Sequence, residues 1–321
     1  MRDALIWVRD ALSSKPFTVQ YGHYLIKDKM IHATDGRMTA AHPFPCHEEF
    51  CANGAALEKL LARLSGNITV TVSPDDVTLK SGRLGGTIKT IPVGDWQYPL
   101  VDDMRLPIPE RMIAGLRQLR PFISDNASKS WALCVHAIND TLFATNNISA
   151  AAIPEIDLDG VNALIPYWAV DFVLAREGVT HWSHGPGYIA FHWSNGAWMR
   201  TQLVDDQFPD TIEGLINKAG FANERITPEW RVAFEDASAL AEDYVIMHAD
   251  RMTGKTKGDT MAVEVQATTL VPAGPPSYSA WTTKFMIPVM GCATHWQPDK
   301  YPDAVPFRGD GIVGVIVGRR A

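Results

Sequence analysis

The chain has 321 residues, of which 46% are hydrophobic and 20% are charged, and its 36 acidic and 29 basic side chains give a formal net charge of −7. This composition is typical of a folded globular protein and excludes a mainly disordered chain. No run approaches the roughly 18 uncharged apolar residues that cross a bilayer. Asp3 and Asp10 lie near the start of the chain, and acidic residues there are not typical of a secretory signal peptide. We therefore expect a cytoplasmic protein whose acidic balance still leaves room for a local basic strip.

Helical periodicity and helix-start signals predict six helices. Pro109 and Pro228 stand in first-turn positions, where a missing amide proton costs nothing. The predicted helices cover residues 2–13, 54–64, 109–120, 166–176, 228–242 and 282–292, the last interrupted by Pro288. Short β-rich runs bounded by turn residues predict strands that include 68–72, 77–80, 131–137, 188–193, 260–266 and 311–317. The predicted class is α+β with mostly antiparallel sheet.

An internal repeat organises the chain. The tetrapeptides ATDG at 33–36 and ATNN at 144–147 are offset by 111 residues, and each leads into a run of two alanines, one residue and proline. The tripeptides QYP at 97–99 and QFP at 207–209 repeat at an offset of 110. A period of this length predicts three tandem domains, and the third shows the weakest copy of the markers. Their predicted bounds are 1–103, 104–213 and 214–321.

The repeated segments resemble the bacterial DNA polymerase III beta subunit family, the beta sliding clamps. VTLKSGR at 77–83 and DWQYP at 95–99 look like the end of a first clamp domain, and QLVDDQFPD at 202–210 is similar to the strand that ends the second. The family's ATDGHR turn of the second domain corresponds to 144–149, whereas the better copy, ATDGR at 33–37, lies in the first domain. The resemblance covers essentially the whole chain.

This resemblance implies three clamp domains, each with two helices packed on antiparallel sheet, that form half of a six-domain ring. A head-to-tail homodimer would close that ring. The short third domain fits a compact, diverged member of the family, such as a phage-encoded one. The implied partners are duplex DNA bound without sequence preference, a DNA polymerase and a clamp loader, and neither an active site, a cofactor nor a membrane is expected.

The helices that would face DNA in such a ring carry positive charge. On the helix at 109–120, Arg117 lies opposite the apolar stripe that runs from Met112 to Leu119, and Arg120 flanks it. The residues for which the resemblance implies DNA binding are Arg9, Lys15, Arg63, Arg111, Arg117, Arg120, Lys129 and Trp131. The alternatives are an ordinary solvated face for these charges and a buried Trp131 at the start of a strand. The helix at 228–242 is acidic and would repel DNA.

The resemblance also implies a pocket between the second and third domains that takes a short peptide from partner proteins. The positions that correspond to this pocket are Thr145, Asn147, Ile148, Ala150, Pro209, Val315, Ile316, Val317 and Arg319. Asn147, Gly318, Arg319 and Ala321 depart from the family's pattern. Three alternatives follow: the pocket binds a different peptide, the pocket is reduced, or residues 315–317 form an ordinary final strand without a pocket. A fourth is that partner binding has moved to the turn at 33–37.

Two sets of side chains would support an enzyme instead. The run HPFPCHEEFC at 42–51 brings two histidines and two cysteines together, but its spacing matches no common zinc pattern. The histidines at 181, 184 and 192 are better explained by a sheet surface, and neither a nucleophile elbow nor an HExxH helix occurs. We expect a non-enzymatic sliding clamp that tethers the replicative polymerase to duplex DNA. The alternatives are a clamp-derived adaptor or inhibitor that does not encircle DNA, and a metal-dependent enzyme.

Overall fold

The structure is a computed structural model that describes residues 1–96, 101, 104–218, 222–239, 243–248, 251–255, 262–266 and 279–319. Helices and antiparallel strands alternate along the chain, so the predicted α+β class is confirmed. No helix in these ranges is long and apolar enough to cross a membrane. The contacts divide the chain into two compact units: unit 1 holds residues 1–108 and 175–203, and unit 2 holds residues 109–174 and 204–321. The three-domain division inferred from the repeat stays a prediction.

The described ranges contain α-helices at each predicted place and one more. These are α1 Arg2–Val8, α2 Gly54–Leu61, α3 Met112–Leu119, α4 Tyr167–Leu174, α5 Asp210–Lys218, α6 Pro228–Ala239 and α7 Thr283–Cys292. Residues 240–242 of the predicted acidic helix lie outside the described residues. The predicted interruption at Pro288 is wrong, because α7 runs through it. Burial of Met286, Val289 and Met290 in the core offsets the one hydrogen bond that proline removes.

The helix that sequence periodicity missed is α5. Its acidic first turn contains Asp210 and Glu213, which favour a helix N-terminus. Ile212 and Ile216, one turn apart, face the same hydrophobic cluster. Gly214 lies inside the helix, and Asp210, Thr211 and Asn217 are also weak helix formers, so the sequence is too poor in helix formers for the helix to be recognised.

Unit 1 contains one antiparallel sheet of 11 strands, in the order β5-β6-β7-β4-β1-β2-β3-β15-β14-β13-β8. The strands are β1 His23–Lys27, β2 Met30–Thr34, β3 Met38–Pro43, β4 Phe50–Asn53, β5 Thr69–Val72, β6 Asp76–Ser81, β7 Leu84–Ile91, β8 Leu106–Pro107, β13 Val179–Gly185, β14 Tyr188–Trp193 and β15 Trp198–Gln202. Strands from two distant parts of the sequence meet where β15 pairs with β3, with Arg200 opposite Thr39. Helices α1 and α2 belong to this unit.

Unit 2 contains a sheet of eight strands, β12-β9-β10-β11-β23-β22-β21-β16, and a sheet of four, β19-β18-β17-β20. The strands are β9 Cys134–Ile138, β10 Thr141–Thr145, β11 Ser149–Ile153, β12 Ala163–Pro166, β16 Glu224–Arg225, β17 Tyr244–Met247, β18 Arg251–Lys255, β19 Ala262–Gln266, β20 Ser279–Thr282, β21 Ala293–Trp296, β22 Ala304–Gly309 and β23 Val313–Val317. The β10–β11 hairpin receives β23 along β11, as the β2–β3 hairpin receives β15 along β3. Each unit thus joins a hairpin to a strand from much later in the chain.

Candidate functional site

Basic residues of unit 1 are of two kinds: some are hydrogen-bonded within the protein, and others are exposed without an acidic partner among the described residues. The Arg2 guanidinium donates from Nε to the Leu61 carbonyl at 2.6 Å and from Nη2 to the Ala62 carbonyl at 2.8 Å, so it closes the end of α2. Arg9, Lys15 and Arg63 are exposed, and within the described part of the chain none of them forms an ion pair. These three remain available to phosphates.

The three arginines predicted on and beside α3 have different surroundings. Arg117 is exposed and has no acidic partner among the described residues. Arg120 is 23% exposed, and its Nε lies 2.5 Å from Asp171 while Nη2 lies 2.7 Å from Asp125. The hydrogen bond that Arg120 donates to the Asp171 carboxylate is the main cause that raises the pKa of Arg120. Its charge is therefore largely neutralised inside the protein.

Arg111 is also held by neighbours. Its Nη1 donates to the Pro154 carbonyl at 3.3 Å and lies 3.6 Å from a carboxylate oxygen of Glu155, and its Nη2 donates to the Gly311 carbonyl at 3.4 Å. The same guanidinium that was predicted to face DNA thus connects the loop after β11 to the turn before β23. Of the three arginines, Arg117 is the one whose surroundings leave the charge open.

Lys129 directly precedes a 3₁₀ turn that spans Ser130–Leu133, and Trp131 lies within that turn. The Trp131 ring packs edge-on against Phe208, with 6.0 Å between centroids, and belongs to the hydrophobic cluster of unit 2. Ser130 donates to a carboxylate oxygen of Asp206, and that hydrogen bond is the main cause that lowers the pKa of Asp206. Lys129 is exposed beside them, so the lysine is open to a ligand while the tryptophan is occupied by packing.

The turn that joins β10 to β11 is braced by its own side chains. Thr145 Oγ1 donates to the Ser149 carbonyl at 2.9 Å and accepts from the Asn147 amide at 3.1 Å. Asn146 Oδ1 accepts from the amides of Ile148 and Ser149 at 3.1 and 2.8 Å. Asn147 has a φ of 73°, a left-handed conformation that asparagine tolerates and that Gly36 adopts, with a φ of 88°, in the corresponding turn of unit 1. The altered residues therefore preserve the turn.

The turn between β2 and β3 in unit 1 has the same internal bonds. Thr34 Oγ1 donates to the Met38 carbonyl at 2.8 Å and accepts from the Gly36 amide at 3.2 Å. Asp35 Oδ1 accepts from the amides of Arg37 and Met38, both at 2.9 Å. Asp35 also forms an ion pair with Arg37 at 2.8 Å. The stronger sequence copy is thus a charged turn, and no apolar side chain among its five residues is exposed.

The predicted pocket residues are brought together by the pairing of β11 with β23. Ala150 lies opposite Val315, Ser149 opposite Ile316, and the Val317 amide donates to the Ile148 carbonyl at 2.9 Å. Arg319 continues this edge: its amide donates to the Ala280 carbonyl at 2.8 Å and its guanidinium lies 4.4 Å from the Tyr244 ring centroid. Gly318 is required sterically, because a Cβ there would collide with the Tyr301 ring.

Helix α5 covers part of this site. Pro209 is half-buried and its carbonyl accepts from the Ile212 amide at 3.0 Å in the first turn of the helix. Ile216 shares a hydrophobic cluster with Ala150 and Val315, which are only 5% and 4% exposed. Of the apolar positions in the predicted pocket, Ile148 and Val317 stay the most open, at 36% and 42% exposure. The apolar surface left to a partner is therefore small.

The acidic helix α6 keeps its exposed carboxylates and loses its one cation to the interior. Glu229, Glu235 and Asp236 are exposed. Arg231 donates from Nη1 to the Met290 carbonyl and from Nη2 to the Ala293 carbonyl at the end of α7. The surface of α6 is therefore unsuited to phosphate groups.

The side chains that would support an enzyme are packed for other purposes. Burial raises the pKa of Cys51 to about 12, which disfavours the thiolate that a metal would need. The His42 ring lies 5.3 Å from that of Trp7, and His192 is 2% exposed with its Nε2 at 3.2 Å from the Ser183 hydroxyl. In the described ranges no three His, Cys, Asp or Glu side chains are grouped to hold a metal ion.

Comparison with known proteins gives a result at the level of fold. No family model and no curated protein sequence matches the chain. Among solved structures, it is similar to the Caulobacter crescentus beta sliding clamp, with a TM-score of 0.83 and 14% identity over 100% of this chain and 97% of that one. The DNA polymerase sliding clamp of Bacillus subtilis has a TM-score of 0.80 at 14% identity, with the same coverage of both chains. The beta subunit of DNA polymerase from Streptococcus pyogenes has a TM-score of 0.79 at 14% identity and the same coverage. The chain therefore has the bacterial beta sliding-clamp fold over its whole length.

Proposed function

We propose that this chain is a DNA sliding clamp, a processivity factor that encircles duplex DNA and tethers a replicative DNA polymerase in the cytoplasm. The observation that carries the proposal is the match to the Caulobacter crescentus clamp, which spans 100% of this chain and 97% of that one. The proposal takes the three domains as 1–103, 104–213 and 214–321, the bounds that the repeat predicts.

Sequence-independent attraction to DNA would come from unpaired cations on helix-rich surfaces. Arg9, Arg63 and Arg117 are exposed without acidic partners among the described residues, and Lys15 and Lys129 stand on exposed loops. Such side chains contact phosphates without reading bases, which suits a protein that must move along DNA. Arg111, Arg120 and Trp131 contribute less, because their own neighbours already hold them.

Ring closure would come from a second copy. The edge strand β5 of the unit 1 sheet has the sequence TVTV, uncharged and β-branched, and its outer edge has no partner within this chain's described strands. An open edge of this composition is a template for pairing with another chain. A head-to-tail homodimer would cover it, and a separate ATP-driven loader would then open the ring on DNA. The chain itself would catalyse no reaction.

A polymerase would dock through the small apolar edge at Ile148 and Val317, next to the β11–β23 pairing. Since α5 already covers Ala150 and Val315, the peptide that binds here would need few apolar residues. The second candidate function, an adaptor that does not enclose DNA, is favoured by the acidic surface of α6.

Retention on circular DNA tests the proposal. A labelled chain is loaded with a clamp loader on a nicked circular plasmid, separated by gel filtration, and the plasmid is then cut once. A sliding clamp co-elutes with the circle in high salt and is lost after linearisation, because topological linkage is independent of salt whereas phosphate contacts are not. Dissociation from the closed circle in high salt, or retention on the DNA after linearisation, would contradict encirclement. Either result would favour the adaptor function.

A further inference from the structure

A loop in unit 1 presents an aromatic ring directly to solvent. The loop comprises residues 14–19, and in it Phe17 is 95% exposed and Val19 is 63% exposed. A phenylalanine ring exposed to water lacks the stabilisation that burial of its apolar surface would give. We call this segment the Phe17 loop.

Backbone hydrogen bonds and packing hold both ends of the Phe17 loop. The Ser13 amide donates to the Tyr21 carbonyl at 2.9 Å, and the Tyr21 amide donates to the Thr18 carbonyl at 3.1 Å. Trp96 Nε1 donates to the Gln20 carbonyl at 3.1 Å. Pro16 packs so closely on Gly22 that a Cβ there would lie 3.1 Å from its ring. The exposed ring is therefore presented by an ordered backbone, which lowers the entropic cost of binding.

The charge along the sequence of the loop suits a polyanion. From residue 11 to residue 27 the sequence contains no Asp or Glu, while Lys15 and Lys27 are both present. Lys15 is exposed, two positions before Phe17, and forms no ion pair with a described residue. An aromatic ring beside an unpaired cation is the combination that binds single-stranded nucleic acid, where bases stack on the ring and the cation pairs with phosphate.

Unit 2 has a loop that is held by two equivalent backbone hydrogen bonds but contains no aromatic residue. The Ser124 amide donates to the Ala132 carbonyl at 2.9 Å and the Ala132 amide to the Lys129 carbonyl at 3.2 Å, an offset of 111 from the bonds of the Phe17 loop. At that offset Ser128 stands where unit 1 has Phe17. The conformation of the loop therefore does not require a phenylalanine.

We propose that the Phe17 loop binds the single strand beside a duplex, with the Phe17 ring stacked on an unpaired base and Lys15 paired with a phosphate. Bases inside a duplex are stacked on each other and offer no free face, whereas the first unpaired nucleotides of a primer–template junction do. This inference rests on the proposed DNA-binding function and adds to it a preference for junctions over plain duplex.

The test compares two DNA ligands on three proteins. The ligands are a plain duplex and a primer–template junction that carries 2-aminopurine at the first unpaired positions. The proteins are the wild type, Phe17→Ser, which installs the residue of the second loop, and the control Met104→Ser, which removes an apolar side chain of 76% exposure from the same unit. Thermal unfolding confirms that each variant is folded.

We expect the wild type to prefer the junction and to quench 2-aminopurine fluorescence by stacking. Phe17→Ser should lose the quenching and bind the junction about 5- to 150-fold more weakly, the range that one base–aromatic stack supports. Its affinity for plain duplex should change by less than about twofold, since phosphate contacts are kept. Met104→Ser should behave as the wild type.

Three outcomes would overturn the inference in distinguishable ways. If the wild type binds neither ligand, the proposed DNA-binding function fails together with it. If the wild type binds duplex and junction alike, or if Phe17→Ser keeps the junction preference, the inference alone fails. If Phe17→Ser leaves both DNA affinities unchanged and instead loses a polymerase, the occupant of the loop is a protein and not DNA.

Discussion

Single buried histidines in this chain are kept neutral by their surroundings. His32 is 4% exposed, with its ring 6.2 Å from that of Trp96 and 5.9 Å from that of Trp198. Burial lowers the pKa of His32 to about 4, and burial likewise lowers that of His192 to about 4. Because the charged form is disfavoured only in the folded state, these residues couple stability to pH.

The folded protein should lose stability as the pH falls below 6.5. The folded pKa of His32 lies below its unfolded value of about 6.5, so its contribution is complete above that pH and is lost as the pH falls toward 4. Between pH 7 and pH 5 the free energy of unfolding should fall by about 2 kcal/mol from His32, with a further loss from His192. Urea unfolding at the two pH values measures the change. In His32→Gln the drop should be smaller by that amount, and an unchanged drop would refute the assignment.

At the scale of elements, arginines serve two opposite purposes on similar helices. Arg2 and Arg231 donate to carbonyls at the ends of α2 and α7, whereas Arg117 on α3 projects into solvent. A helix end needs partners for its last carbonyls, and a guanidinium supplies several donors at once. The exposed surface of α6 is acidic for the same reason: its arginine is turned inward.

Substituting these arginines should separate stability from DNA binding. Arg231→Met should lower the free energy of unfolding by about 2 kcal/mol, because buried carbonyls lose charged donors, and should leave duplex affinity unchanged. Arg117→Met should leave the free energy of unfolding within about 0.5 kcal/mol of the wild type and should weaken duplex binding. The slope of the logarithm of the binding constant against the logarithm of the salt concentration should fall by about 1 in magnitude. Urea unfolding and fluorescence anisotropy at several salt concentrations measure both. A binding defect confined to Arg231→Met would contradict this division.

Helix α5 shows how an element can be hidden in the sequence. Its apolar residues Ile212 and Ile216 follow helical spacing, but Gly214 lies between them, and Asp210, Thr211 and Asn217 are weak helix formers. Local propensity therefore does not identify this helix. Packing of Ile216 against Ala150 and Val315 stabilises the helix, and that contact links residues far apart in the chain.

At the scale of the whole molecule, the two candidate functions differ in assembly. A clamp needs a second copy to close a ring, whereas an adaptor can act as a monomer. The uncharged edge strand β5 favours the second copy, because its outer backbone groups are otherwise unpaired in the described sheet. Closure of a head-to-tail interface after two protomers is what yields a ring and not a filament.

Charging this edge should separate the protomers. Light scattering of the wild type should give a species near twice the chain mass of 35.4 kDa. Thr69 and Thr71 are both exposed on β5. The double variant Thr69→Lys/Thr71→Lys should have the mass of a monomer, because lysines on an edge strand block strand pairing. The control Thr87→Lys adds charge on the same sheet face of β7, whose two edges are already paired, and should stay dimeric. A monomeric wild type at every concentration would favour the adaptor.

The sequence by itself determined the α+β class, six of the described helices and the repeat of 111 residues, because periodicity, turn residues and duplicated motifs are local properties. The resemblance to the clamp family also lay in short motifs. Tertiary structure alone decided that β3 pairs with β15 and β11 with β23, and that α5 covers the predicted peptide site. It also decided that Arg120 is paired with Asp171, whereas Arg117 has no acidic partner in the described part of the chain. These outcomes depend on neighbours distant in sequence, whose positions no local pattern encodes.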